Sequence, residues 1–103
     1  MSSKIKIEES DIHSHIKGRM LQRGISSAEL EETVNKGWAA GDAAEGTTGK
    51  IFIFPYNAEW EGKFFEEKEV TVYYKYKLEK LVLLTAKARY GKIFEKGERI
   101  NED

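Results

Sequence analysis

Two alternating runs that meet at a two-residue break constrain this chain more than any other feature. From Lys68 to Lys77, Val70, Val72, Tyr74 and Tyr76 fall on one face of an extended segment, and Thr71, Tyr73 and Lys75 on the other. Successive side chains of a strand point to opposite faces, so this period of two specifies a half-buried strand. After Leu78-Glu79 the pattern resumes from Lys80 to Tyr90, with Val82, Leu84, Ala86 and Ala88 on one face and Leu81, Leu83, Thr85, Lys87 and Arg89 on the other. Two such runs across so short a break predict an antiparallel hairpin with one face packed and one face wet.

The cover for the packed face lies upstream. Ser10 is an N-cap candidate, and Ile12, Ile16 and Met20 recur at i, i+4 and i+8 before Gly24, which predicts a helix over residues 11–23. Ser26-Ser-Ala-Glu29 is a capping box, in which the Ser hydroxyl and the Glu carboxylate each satisfy the other's backbone N–H. It opens a second helix carrying Leu30, Thr33, Val34 and Trp38 at helical spacing, with Gly37 as its stop. The segment from Gly41 to Gly49 is aperiodic and reads as a surface loop; it is no phosphate loop, because Gly46 is followed by Thr47-Thr48 rather than by Lys and a hydroxyl residue. Lys50 to Phe54 then reads as a short apolar strand ended by Pro55, and Tyr56 to Gly62 as a polar stretch in which Trp60 stands in acidic company. Lys4 to Ile7 alternates and predicts a short edge strand. The expected order is β-α-α-β-β-β: an α+β fold with a two-helix hairpin on one face of a mainly antiparallel sheet of about four strands.

Composition narrows the classes of function. The 103 residues contain neither a linker nor an internal repeat and describe one domain, 1–103. Such a chain buries roughly 60–65% of its extended surface, so any site is expected to be shallow. The absence of Cys excludes disulfides and thiolate metal sites, and with two His a zinc site is not expected, nor is a cofactor. No apolar run nears the ~20 residues of a spanning helix, so no membrane partner is expected. The amino terminus lacks the apolar core of a signal peptide, which makes the cytoplasm the expected location. Charge is unevenly spread: residues 75–99 carry +5 although the whole chain carries −1. A basic side able to meet a polyanion and an acidic side follow from this.

Two groups of residues could carry chemistry. His15, Arg19 and Arg23 stand at i, i+4 and i+8, so on a helix Arg19 lies ~40° and Arg23 ~80° around from His15. Two guanidiniums offer forked donors matched to phosphate oxygens, and an imidazole moves a proton near neutral pH. The bland alternative is that the arginines pair with acidic residues of the second helix or cap the sheet edge. The other group is Lys87 and Arg89 on one face of the last strand, with Tyr73 and Lys75 of its neighbour beside them and Tyr90 on the opposite face. Aromatic and cationic groups interleaved in this way suit single-stranded nucleic acid, although a solvated sheet face shows the same pattern. His13 lies ~200° from His15 if both are helical, which argues against a paired-histidine metal site. Glu31-Glu32 and Glu66-Glu67 are sequence neighbours facing different ways and make no carboxylate dyad.

The run His15-Ile-Lys-Gly-Arg19-Met20-Leu-Gln-Arg23-Gly24-Ile25-Ser26 resembles the opening signature His-x3-Arg-Met-x2-Arg-Gly-Ile-Ser of the domain of unknown function 4258, and Val82 to Tyr90 is similar to that family's last strand. The stretch around Trp60 is longer than the family pattern. That family in turn resembles the RelE-type toxins, so the resemblance implies a RelE-toxin-like fold and a metal-independent endoribonuclease acting on mRNA. On this reading a ribose 2′-hydroxyl attacks the adjacent phosphate, His15 is the base or acid, Arg19, Arg23 and Arg89 stabilise the developing charge, and Lys75, Lys87, Tyr73 and Tyr90 bind substrate. RNA or the ribosome, and an antitoxin-like protein, are the partners implied. The alternative is a non-catalytic nucleic-acid- or protein-binding module of the same fold. Homodimerisation through Lys4 to Ile7 or the Trp60 stretch is a third reading.

Overall fold

The computed structural model describes residues 4–94. A 3-10 turn at Glu9–Asp11 precedes helix α1, Ser14–Arg23, and helix α2, Ser27–Lys36. Strands β1, Trp38–Ala39, β2, Thr48–Trp60, β3, Lys63–Lys77, and β4, Lys80–Gly91, follow. They form one sheet in sequential order, β1-β2-β3-β4, with every pairing antiparallel. The architecture is therefore α+β, as the periodicities require, but its order is α-α-β-β-β-β.

The difference lies at the amino terminus. Residues 4–7 belong to no strand or helix. Instead Asn35 of α2 takes the place of a neighbouring strand: the Ile5 N–H donates to Asn35 Oδ1 at 2.7 Å and Asn35 Nδ2 donates to the Ile5 carbonyl at 2.7 Å. One carboxamide supplies both an acceptor and a donor, so it satisfies a strand-like segment without a ladder. The fourth strand is β1, where Trp38 pairs with Ile51 rather than extending α2, because the chain turns to extended geometry at Gly37 (φ −74°, ψ 169°). The first helix starts later than its cap residue suggested, since Ser10 and Asp11 belong to the 3-10 turn and His13 occupies the N-cap of α1.

The helices bury Ile16, Met20, Leu30 and Val34 against Val70, Val72, Tyr74, Leu83 and Ala86 of the sheet. Strict alternation along β4 breaks at Leu84. The register passes from Tyr73 opposite Thr85 to Tyr74 opposite Leu83, so Leu84 is an extra residue and Leu81 and Leu83 join Ala86 and Ala88 on the helix side. A one-residue bulge exchanges the faces of every residue beyond it. The Leu78-Glu79 break is a tight turn with both residues left-handed (φ 52° and 65°).

Pro55 does not end β2. The strand bulges between Pro55 and Ala58, with Asn57 left-handed at φ 45°, and then pairs with β3 out to Trp60 and Lys63. Because β1 pairs only with Ile51 and Lys50, Pro55 stands where β2 is an edge, and its missing N–H costs no ladder bond. The stretch from Tyr56 to Trp60 and the first residues of β3 thus form a two-stranded arm, closed by a Glu61-Gly62 turn (φ 52° and 86°).

Candidate nucleic-acid interface

Both helices cover the face that carries Val70 and Val72, which leaves the opposite face of β3 and β4 open. Alternation places Glu69, Thr71, Tyr73 and Lys75 there from β3, in register with Arg89, Lys87, Thr85 and Val82 of β4. Tyr73 Oη donates to Asp42 Oδ1 at 2.7 Å, tying the loop before β2 to the sheet. The Tyr73 ring lies across Gly49, its register partner; a Cβ at Gly49 would come within 2.9 Å of the ring, so a side chain there would displace it. The Lys87 ammonium sits 5.1 Å from the Tyr73 ring centroid. Arg89 reaches Glu69 with two parallel bonds, Nε to Oε1 and Nη2 to Oε2, each 3.0 Å, and its guanidinium lies 4.6 Å from the Phe94 ring centroid. A shallow depression of about 190 Å³ between Glu69, Thr71, Lys87 and Arg89 marks the middle of this row.

The electrostatics follow from these bonds. The Tyr73 hydroxyl stabilises the Asp42 carboxylate and holds its pKa below 3.8, whereas burial and that same bond raise Tyr73 above 10.0. Glu69 raises the Arg89 pKa further by hydrogen bonding to the charged form. The row thus brings together Lys75, Lys87 and Arg89, with Glu69 bonded to Arg89 inside it and Asp42 bonded to Tyr73 at its edge.

The candidate residues divide between two sides of the molecule. Lys75, Lys87, Tyr73 and Arg89 share the open face, as their spacing suggested. His15, Arg19 and Arg23 lie on α1, on the helix side, where His15 is exposed and Arg23 Nη1 donates to the Ala86 carbonyl at 2.7 Å. That bond caps the β4 edge of the sheet. His15 and Arg23 are about 12 Å apart along the helix axis at 1.5 Å per residue, and the sheet separates their side from Arg89. Tyr90 also belongs to the helix side: its hydroxyl donates to the Arg23 carbonyl at 2.7 Å and Trp60 stacks on its ring at 5.0 Å. Of the cations in the basic run, Lys96 and Arg99 lie outside the described residues, as do Glu95 and Glu98.

A second polar constellation, on the helix side, could not be read from any motif. Lys68 is 3% exposed; its ammonium donates to Glu29 Oε1 at 2.8 Å and to the Gly24 carbonyl, and it lies 5.5 and 5.6 Å from the Tyr56 and Tyr90 ring centroids. A buried ammonium committed to a carboxylate, a carbonyl and two ring faces anchors the arm to the α1–α2 turn rather than offering a nucleophile. Trp60 is part of the same cluster, packed between Tyr90 and Gly24. The sequence signal for the arm was present in Tyr56, Ala58 and Trp60, which alternate with the exposed Asn57, Glu59 and Glu61.

The two histidines are closer than a helical wheel implies. His13 is the N-cap, with extended backbone (φ −79°, ψ 172°), and not a helical residue, so its ring stands 6.4 Å from that of His15 with the planes 13° from parallel. Among the described residues no group of three or more His, Cys, Asp or Glu side chains is arranged to hold a metal, and no helix is long and apolar enough to cross a membrane. Comparison of the chain with family models, with curated proteins and with solved structures gives no match.

Proposed function

We propose that this chain is a non-catalytic RNA-binding module with a RelE-toxin-like arrangement of elements, which takes single-stranded RNA along the open sheet face. The observation that carries the reading is the row of Tyr73, Lys75, Lys87 and Arg89, three cations and one aromatic ring on the sheet face opposite the helices. Lys75, Lys87 and Arg89 meet successive phosphates, and Tyr73 offers a surface on which a base stacks. General acid–base work at one phosphate needs His15 within hydrogen-bond reach of the group that Arg89 stabilises, and the sheet lies between them.

The test is binding of a short mixed-sequence RNA at rising salt. Three neutralised phosphates correspond to a slope of about −2 in log K against log[salt] for a single strand, and Lys87→Ala or Arg89→Ala should each flatten that slope by about 0.7. His15→Ala should leave it unchanged. Loss of binding in His15→Ala and Arg19→Ala, with Lys87→Ala and Arg89→Ala unaffected, would move the interface to α1.

The resemblance of residues 15–26 to the 4258 signature keeps the endoribonuclease as the second reading. It is tested in EDTA, with and without ribosomes. Cleavage abolished by both His15→Ala and Arg89→Ala would replace the non-catalytic reading.

A further inference from the structure

We propose that His13 and His15 form a two-imidazole site for a borderline divalent metal ion of the zinc and copper class, with water filling the remaining positions. The site arises from how the chain enters α1. With His13 outside the helix as N-cap and His15 in the first turn, both rings stand on one side of the helix start with their planes nearly parallel and centroids 6.4 Å apart. Two imidazoles bound to one tetrahedral ion at metal–nitrogen distances of about 2.0–2.1 Å have centroids roughly 5 Å apart. Both side chains are exposed, so rotation about their own torsions closes that difference without moving the backbone.

The neighbouring groups leave the imidazoles as the available donors. Neither ring is hydrogen-bonded or ion-paired to another described residue. Of the three carboxylates just before them, Glu9 pairs with Lys17 at 3.1 Å, Asp11 accepts the Glu8 N–H at 2.8 Å, and Glu8 joins Asp11 in the capping box of the 3-10 turn. Imidazole suits zinc and copper, whereas magnesium and calcium require oxygen ligands, so the ligand set selects the borderline metals. Once one imidazole holds the ion, the second binds it intramolecularly, and this effective concentration gives the pair its affinity over a single exposed histidine. An ion held there occupies a lone pair of His15 and so competes with any proton transfer or phosphate contact by that ring.

The experiment uses the full chain without a histidine tag, at a pH above the ordinary imidazole value of about 6.5. Zinc chloride is titrated by calorimetry, and the ring signals of both histidines are followed by NMR. The expected result is one equivalent of zinc that shifts both histidines together, with His13→Gln or His15→Gln each weakening binding on the order of 10²-fold. Copper should bind more tightly than zinc at the same residues. Absence of saturable binding, a shift of only one ring, or unchanged affinity in either variant would overturn the proposal. Far-UV circular dichroism of both variants confirms that the exposed substitutions leave the fold intact.

Discussion

Lys68 of β3 and Glu29 of α2 are 39 residues apart, and their charged groups meet at 2.8 Å with the lysine side chain 4% exposed and the glutamate 23%. Glu29 Oε1 also accepts the Ser26 N–H at 3.0 Å, so one carboxylate closes the capping box of α2 and neutralises a buried ammonium. The α1–α2 turn is thereby bonded to the sheet through a residue that local sequence had already committed to a helix start.

Removing the ammonium should therefore be costly. Lys68→Ala leaves the Glu29 carboxylate and the Gly24 carbonyl without their donor and opens space between Tyr56 and Tyr90. A loss of about 3 kcal/mol is expected in urea denaturation, at the low end for a broken buried pair because Glu29 keeps some contact with water. Lys36→Ala, which breaks the exposed pair with Glu32 at 3.3 Å, should change stability by less than about 0.5 kcal/mol. Equal effects would show that Lys68 is not an anchor.

Three glycines separate conformational cost from packing cost. Gly24 caps α1 in left-handed geometry (φ 72°), and a Cβ there would stand 2.6 Å from Trp60 and 2.7 Å from the Tyr90 hydroxyl. Gly24→Ala should cost about 2–4 kcal/mol, from the left-handed backbone and from displaced rings together. Gly46→Ala meets open space at φ 83° and should cost about 1 kcal/mol from backbone alone. Gly18→Ala, in mid-helix with nothing near, should stabilise by about 0.5–1 kcal/mol. Thermal unfolding of the three variants checks the order.

How far the fold was legible depended on where local signals had no competitor. The capping box at Ser26 and the alternation from Lys68 to Lys77 were decisive, because each satisfies its own backbone or hydrophobic pattern locally. The edge strand at Lys4 failed because the same alternation fits any extended segment, and the Asn35 carboxamide, 30 residues away, completes it instead. The arm was obscured by Pro55, which ends a central strand but is tolerated on an edge. On the candidate site, register brought Tyr73 and Lys87 together as spacing implied. Helical spacing could not show that α1 lies across the sheet from Arg89, nor that His13 sits outside the helix.

The β3–β4 turn carries correctable strain. Both central residues adopt positive φ, 52° at Leu78 and 65° at Glu79, the geometry that an Asn-Gly pair adopts with least penalty. Leu78 is also 92% exposed. The double substitution Leu78→Asn with Glu79→Gly should stabilise the protein by about 1 kcal/mol. A lower denaturation midpoint in the double variant would show that Leu78 has a packing role.

Tyr90 makes stability depend on alkaline pH. Burial, with Tyr56, Glu29 and Glu61 nearby, pushes its pKa up to about 12 from 10.0. The folded state keeps the proton more tightly than the unfolded chain, so this contribution is fully present below pH 10 and is lost as pH rises toward 12. Tyr90→Phe should be less stable at neutral pH, because the hydrogen bond to the Arg23 carbonyl is gone, yet lose less stability between pH 10 and 12 than the parent protein. Ultraviolet titration should find Tyr90 still protonated at pH 11, about halfway through that interval. Coincident stability–pH curves for the two proteins would refute the assignment.

The Glu69–Arg89 pair separates the charge of the open face from its shape. Glu69, whose side chain is 16% exposed, holds the guanidinium by two bonds of 3.0 Å and offsets its charge where RNA is proposed to bind. Glu69→Gln is nearly isosteric, frees Arg89 and adds one net positive charge to the row. Under phosphate-driven binding this variant should bind RNA more tightly at low salt, with the slope of log K against log[salt] unchanged near about −2, because Arg89 already meets one of the three phosphates. Arg89→Ala in the same background should remove the gain. The paired carboxylate costs little stability to lose, since Arg89 is 66% exposed, so the change in binding is read on an intact fold. Weaker binding by Glu69→Gln would instead mean that the fork orients Arg89 for contact, and unchanged binding would remove Arg89 from the interface.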